Sequence, residues 1–301
     1  MQQESGRRVF LATACAAASA CALHGAERTA SPRRALGMFV YLDPKDPDAS
    51  LAKVQELGFS CCEIYLNSFG DALAAAVRDA LERRGLFATA LFASGPGPQV
   101  YDFYRGPETI GLVPREWRRR RIDALKEASD FAKRCGIPAF ETHCGFIPEN
   151  PNDPLYRETV DAIRELAAHC RANGQTFLYH AGQETPVTLL RTIIDVGLEN
   201  QGVGLDTANL IMYGKGHPVH ALDVYGAHLK AVNVKDGLYP TDPRNLGKET
   251  PLGKGAVDFP RFFARLKAHG YAGPVIIERE ISGPQLYEDL RQAKAFLETL
   301  V

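Results

Sequence analysis

The sequence has almost no net charge: 35 Lys and Arg stand against 36 Asp and Glu, a formal charge of −1. A nucleic-acid binder usually shows a basic excess over its folded part, and that is missing here. With 45% hydrophobic and 24% charged residues, the chain also lacks the low apolar content and one-sided charge of a disordered segment. Its 7 cysteines contain no CxxC spacing, and most lie in apolar runs. Buried thiols are therefore expected, and a disulfide framework or zinc cage is not. No apolar run is long enough to span a bilayer as a helix, and no linker, low-complexity tract or repeat follows residue 31.

What is present begins with an address. Arg7 and Arg8 precede Val9-Phe10-Leu11, and no charged residue follows until Glu27. A paired arginine before a short apolar stretch reads as a twin-arginine export signal over residues 1–30. The segment is left out of the fold. Its processing is open: Ala18-Ser19-Ala20-Cys21 resembles a lipobox ending at Cys21, while Gly25-Ala26 suits a plain cleavage site. The expected product is periplasmic, or anchored to the membrane through a lipid on Cys21 and facing the periplasm. The twin-arginine route carries folded proteins, which suits one that takes up a metal or cofactor before export.

The 301 residues could make two ordinary domains or one barrel of about 250. Spacing decides between them. Eight short β-rich runs lie at 36–42, 61–66, 87–92, 139–143, 176–180, 202–206, 231–234 and 275–278. Between them run segments of helical period at 49–57, 72–84, 115–135, 156–173, 186–196, 219–227, 259–269 and 285–300. Asp48 and Asp258 stand near helix starts, and Gly58, Gly85, Gly136, Gly174, Gly197 and Gly270 follow last turns. Eight strands alternating with eight helices predict an α/β fold, a single (β/α)8 TIM barrel over residues 36–301. The intervals are enlarged after the third, fourth and seventh strands, at 94–114, 145–154 and 235–257. These loops leave the C-terminal ends of strands, the face that holds the active site in such barrels.

Polar residues at the ends of otherwise apolar strands are the informative feature: Glu63, Glu141 with His143, His180, Asp206, Asn233 with Lys235 and Asp236, then Glu278 and Glu280. A barrel brings these ends to one mouth. His180, Asp206, Asn233 and Glu278 would then face a common point, and their oxygens and nitrogens suit a divalent Mn, Mg, Co or Zn ion.

From here the chain resembles a known family. The residues are Gly182-Gln183-Glu184-Thr185-Pro186, Val203-Gly204-Leu205-Asp206-Thr207-Ala208-Asn209-Leu210 and Asn233-Val234-Lys235-Asp236-Gly237. Pro251-Leu252-Gly253-Lys254-Gly255 through Phe259-Pro260 and Ile276-Ile277-Glu278-Arg279-Glu280 complete the set. In this order they resemble the sugar phosphate isomerase/epimerase family of xylose-isomerase-like TIM barrels. The resemblance covers residues 36–301 and is most specific from Thr142 onward.

The resemblance implies a divalent metal held by Glu, Asp, His and Glu on strands five to eight. Asp206 and Glu278 match, whereas His180 stands in place of the Glu and Asn233 in place of the His. It implies proton abstraction beside a sugar carbonyl, with Glu278 as base and the opposite role falling to His180, or to Glu184 if its loop turns inward. His143 could supply a replacement nitrogen, and Asn209 and Lys235 belong to the substrate-binding set. The implied partner is a small carbohydrate, phosphorylated or not; nucleic acid is not expected, and self-association stays open. Two other outcomes remain on the same barrel: a keto-sugar lyase or hydrolase, and a non-catalytic carbohydrate-binding barrel with a degenerate metal site.

Three further features read as structural. In Trp117-Arg118-Arg119-Arg120-Arg121, acidic Glu116, Asp123 and Glu127 interleave at helical spacing, predicting a solvated helix. Tyr213-Gly214-Lys215-Gly216-His217 lacks the phosphate-loop pattern. Tyr101, Phe103 and Tyr104 could line a sugar ring or form a satellite core.

Overall fold

A computed structural model describes residues 34–301; the segment read as an export signal lies outside them. Eight strands, β1 (Leu36–Tyr41), β2 (Cys61–Tyr65), β3 (Phe87–Phe92), β4 (Ala139–Thr142), β5 (Thr176–His180), β6 (Gln201–Asp206), β7 (Leu229–Val234) and β8 (Val275–Ile277), close into a parallel barrel. Each strand pairs with its sequence neighbours, and β1 closes on β8 through Leu36 beside Val275. The fold is the expected single (β/α)8 TIM barrel.

Eight helices alternate with the strands: α1 (Pro47–Glu56), α2 (Asp71–Arg84), α3 (Arg115–Arg134), α4 (Pro154–Ala172), α5 (Pro186–Val196), α6 (Pro218–Tyr225), α7 (Phe259–Ala268) and α8 (Pro284–Leu297). Several begin one or two residues before the apolar period does. The reason is proline at the first helical position, as at Pro47, Pro154 and Pro218, each preceded by a capping side chain: Asp46, Asp153 or His217. Among the described residues no helix is long and apolar enough to cross a membrane.

The continuous apolar runs of the strands follow from burial on both faces. Outward-facing residues such as Leu91, Phe140, Phe177, Leu205 and Val232 meet helix residues such as Val77, Phe131, Ile163 and Phe262 in one core. Inward-facing residues divide by height. Ala90, Ala139 and Leu178 cluster towards the N-terminal end of the barrel, with Ala231 packed against them. Two residues further along the same strands, alternation brings Glu141, His180 and Asn233 inward. Gly204 on β6 makes this possible, because a Cβ there would collide with the Glu141 carboxylate. The five cysteines of the described residues, Cys61, Cys62, Cys135, Cys144 and Cys170, are buried and unpaired.

The enlarged loops are tied down by buried polar groups. The arginine run on α3 is only partly solvated. Arg119 pairs with Asp123 and Glu165 on the surface, but Arg121 is wholly buried and donates to the carbonyls of Pro96, Pro98 and Gly111. Arg118 bonds the carbonyls of Leu112 and Val113. A long loop carries backbone acceptors that need donors, and the third loop takes them from α3. In the seventh loop, Asp236 accepts from the amides of Gly237, Gly255 and Val257, and Asp236–Gly237 pairs with Glu249–Thr250 as a short antiparallel ribbon.

Candidate active site

The strand ends do converge. His180 on β5 is bonded through Nδ1 to Glu141 Oε1 at 2.8 Å, and its Nε2 lies 3.6 Å from Asp206 Oδ2. Asp206 also accepts from the amides of Ala208 and Asn209 at 2.7 and 2.9 Å, which fixes its carboxylate at the start of the sixth loop. Lys235, one residue past β7, lies with its ammonium 2.8 Å from Asp206, 3.0 Å from Glu278 and 2.9 Å from Glu280. Asn233 donates its amide to Glu63 Oε2 at 3.0 Å and Glu278 Oε2 at 3.1 Å, and its Oδ1 has no partner. All but Glu280 are buried. The result is a chain of alternating charge from Glu141 through His180, Asp206 and Lys235 to Glu278 and Glu280.

Burial and neighbours sort these groups. Burial pushes the Glu278 carboxyl up to about 7; Lys235 pulls against that and Asp206 adds to it. Burial alone would raise Asp206 too, but the Lys235 ammonium and the His180 ring outweigh it and hold the carboxyl below the ordinary range. His180 is opposed by burial, yet Asp206 and Glu141 on its two nitrogens raise it well above an ordinary histidine. His143 goes the other way: burial first, then the charges of His180 and Lys235, push it well down. Two histidines packed edge to face, with ring centroids 4.8 Å apart, are therefore driven towards opposite protonation states at neutral pH. Burial and the neighbouring Glu141 raise Glu63 well above an ordinary carboxyl.

One donor atom each from His180, Asp206 and Glu278 lies within 4.8 Å of the others. An ion about 2.0–2.6 Å from each donor fits that spread. The unpartnered buried Asn233 Oδ1 is a further acceptor near them. The cluster could thus hold a metal, in exchange for the contacts that Lys235 makes with Asp206 and Glu278.

The remaining residues singled out from sequence are placed as follows. His143 is buried beside His180, held by Gln183 Nε2 at 3.0 Å. Asn209 packs its side chain against Gly182 and meets Asp206 through its backbone. Glu184 does not turn towards His180 or Glu278. It is buried where its charge acts on Cys144, Tyr179 and Tyr225, and burial pushes its carboxyl up to about 8. Arg279 points away from Glu278 and pairs with Glu249 at 2.6 Å and Asp289 at 2.8 Å.

The structure adds Glu63, Glu141 and Glu280, which the sequence marked only as polar strand ends. It also adds an aromatic arc on the other side of the mouth. Phe39, Tyr41, Tyr65 and Phe92 pack ring to ring at 5.2–6.2 Å, and Phe92 reaches His180 at 4.9 Å and His143 at 5.2 Å. Tyr101 from the third loop lies 6.0 Å from His143, whereas Tyr104 lies under Arg244 on the surface. Alternation in β1 and β2, with aromatics two residues apart at 39 and 41, was the available signal.

A family profile described as a xylose isomerase-like TIM barrel matches residues 51–300. The L-ribulose-5-phosphate 3-epimerases UlaE of Salmonella align over 248 residues, 76% of this chain and 80% of theirs, at 27% identity for Salmonella paratyphi A and 49% for Salmonella heidelberg. A xylose isomerase domain protein from Planctomyces limnophilus is 32% identical with a TM-score of 0.84, over 89% of this chain and 98% of that one. A xylose isomerase-like TIM barrel protein from Mycobacterium smegmatis, solved in complex with magnesium, shares the fold at 17% identity and a TM-score of 0.66, over 89% of this chain and 96% of its own.

Proposed function

The chain belongs to the xylose isomerase-like TIM barrel family, and from that membership we propose that it is a sugar isomerase or epimerase working by proton transfer beside a carbonyl. The observation that carries this reading is the pairing of Glu278, a carboxyl raised to about 7, with His180, held protonated between Glu141 and Asp206. Near neutrality one can accept a proton and the other can give one, which is the division of labour general acid–base catalysis needs. They come from β8 and β5, on different sides of the mouth. Glu278 takes the proton from the carbon next to the carbonyl, leaving an enediolate. The imidazolium of His180 returns a proton to the opposite face, and solvent restores both groups. Lys235 places a positive charge beside the developing oxyanion.

A divalent ion would be held by His180, Asp206 and Glu278, where it would polarise the substrate oxygens and stabilise enediolate charge. Relatives named as sugar epimerases and a fold relative solved with magnesium support this reading. Holding an ion through Nε2 takes His180 out of proton transfer. Glu278, a ligand in the same set, would then serve as base only through the carboxylate oxygen left free of the ion. We further propose that residues 1–30 direct export by the twin-arginine route to the periplasm.

The test follows solvent deuterium into candidate keto-sugars by NMR, with and without added Mn²⁺. The expected result is exchange at the carbon beside the carbonyl, falling about 10²–10⁴-fold in Glu278→Gln. Undiminished exchange in that variant removes Glu278 from the mechanism.

A further inference from the structure

The mouth does not end at the buried cluster. Glu280, whose Oε1 holds Lys235 at 2.9 Å, also lines an open groove of about 430 Å³ together with Tyr41, Ile281, Ser282, Leu286 and Tyr287. The groove runs outward over the β8–α8 loop. It is continuous with the proposed site, because Glu280 and Tyr41 belong to both. Tyr41 is 55% exposed even though its ring packs on Phe39 and Tyr65, so it presents a broad, fixed aromatic face to whatever lies beyond the reacting group.

Three properties identify the occupant. The volume lies in the range of small-molecule sites, about 300–1,000 Å³. The lining combines two tyrosine rings with a serine hydroxyl and a carboxylate, which suits a group with an apolar C–H face and hydroxyls at its edge. No lining residue is Lys or Arg. The nearest buried cation, Lys235, is already shared among Asp206, Glu278 and Glu280, so a phosphate dianion here would meet carboxylates without a free counter-charge.

We propose that this groove is a second sugar-ring subsite, and that the substrate is a neutral glycoside whose reacting keto-sugar ring lies over Glu278. The proposal rests on the reading of the site as a sugar isomerase or epimerase. It also constrains the chemistry. With the reacting ring as the glycosyl donor, its anomeric carbon is blocked by the glycosidic bond, so the carbonyl stands at another ring carbon and a reaction that oxidises a ring alcohol to a ketone supplies the substrate.

The experiment compares a disaccharide carrying a ring ketone, the matching free keto-monosaccharide and that monosaccharide's phosphate ester. Turnover and calorimetric binding are both measured, on the wild-type chain and on Ser282→Trp, which fills the groove from an exposed position. Tyr287→Ala serves as a second variant, and thermal melting confirms that both fold. The expected result is a KM for the disaccharide about tenfold below that of the monosaccharide, with the ratio collapsing in Ser282→Trp. Preference for the phosphate ester, or a ratio that neither variant changes, overturns the subsite. If nothing is turned over but the disaccharide still binds in a Ser282-dependent manner, the subsite stands and the catalytic reading falls.

Discussion

At the scale of single residues, Lys235 is the group on which the site's charge balance depends. Its ammonium is fully buried, and although burial alone would favour losing the proton, Asp206, Glu278 and Glu280 keep it charged. Removing it leaves Asp206, Glu278 and Glu280 without their shared ammonium and only His180 beside Asp206, and breaking a buried ion pair in this way typically costs about 3–5 kcal/mol. Lys235→Gln is therefore expected to melt well below the wild type in chelator. A divalent ion, freed from competition with the ammonium, should then raise the melting temperature of the variant more than that of the wild type. An equal rise in both proteins, or none, argues against an ion among His180, Asp206 and Glu278.

Glu278 gives a second residue-scale prediction. In the metal-free protein its carboxyl titrates at about 7, above an ordinary glutamate because it is buried. A folded-state value raised above the unfolded one makes a stability contribution that is full below the unfolded value and is lost as pH rises through the folded value. Between about pH 5 and 8 the wild type should lose stability that Glu278→Gln keeps, and a carboxyl resonance should titrate near 7 in the wild type only. Added Mn²⁺ should move that titration downward, since a cation at the carboxylate favours its charged form. A carboxyl already ionised at pH 5 without metal rules out the raised value.

At the scale of elements, the barrel was legible because its signals are local. A strand run, a helical period and a terminal glycine each lie within one short stretch, and Gly85 and Gly197 indeed end α2 and α5 with φ of 61° and 67°. The convergence of Asp206 and Glu278 was legible for the same reason, since strand ends in a closed barrel share a mouth. What sequence could not supply is the partner across the barrel. Glu141 meets His180 at a separation of 39 residues and Asn233 meets Glu63 at 170, so neither the charge on His180 nor the direction of the Asn233 amide could be read locally. Arg121 shows the same gap: helical spacing put it on a solvated face, but the carbonyls that bury it belong to a loop folded back over α3. Arg121→Met should expose or orphan three carbonyls and cost about 3 kcal/mol or more, read as a lower denaturation midpoint. Because that loop carries Tyr101 to the mouth, KM should rise while kcat falls little; unchanged stability and KM separate the loop from the site.

At the scale of the whole molecule, the near-zero charge conceals how unevenly charge is placed. Glu63, Glu141, Asp206 and Glu278 are buried inside a barrel together with one lysine and one protonated histidine. Such a cluster is stable only when assembled, because an unpaired buried charge is expensive, and an ion among its donors would enter a preformed site. Both requirements suit the proposed twin-arginine export, in which a chain folds before it is translocated, and the paired Arg7 and Arg8 are the sequence feature that fits. Fractionation of cells that express the full chain tests this. The expected result is protein outside the cytoplasm for the wild type, and folded protein retained inside when Arg7 and Arg8 are both changed to Lys. Cys21→Ala should further release any membrane-bound fraction into the soluble periplasmic pool if the lipobox is used, and leave the distribution unchanged if cleavage falls at Gly25-Ala26. Export of the double-lysine variant at the wild-type level removes the twin-arginine reading, and leaves the barrel and its charge cluster to be explained without it.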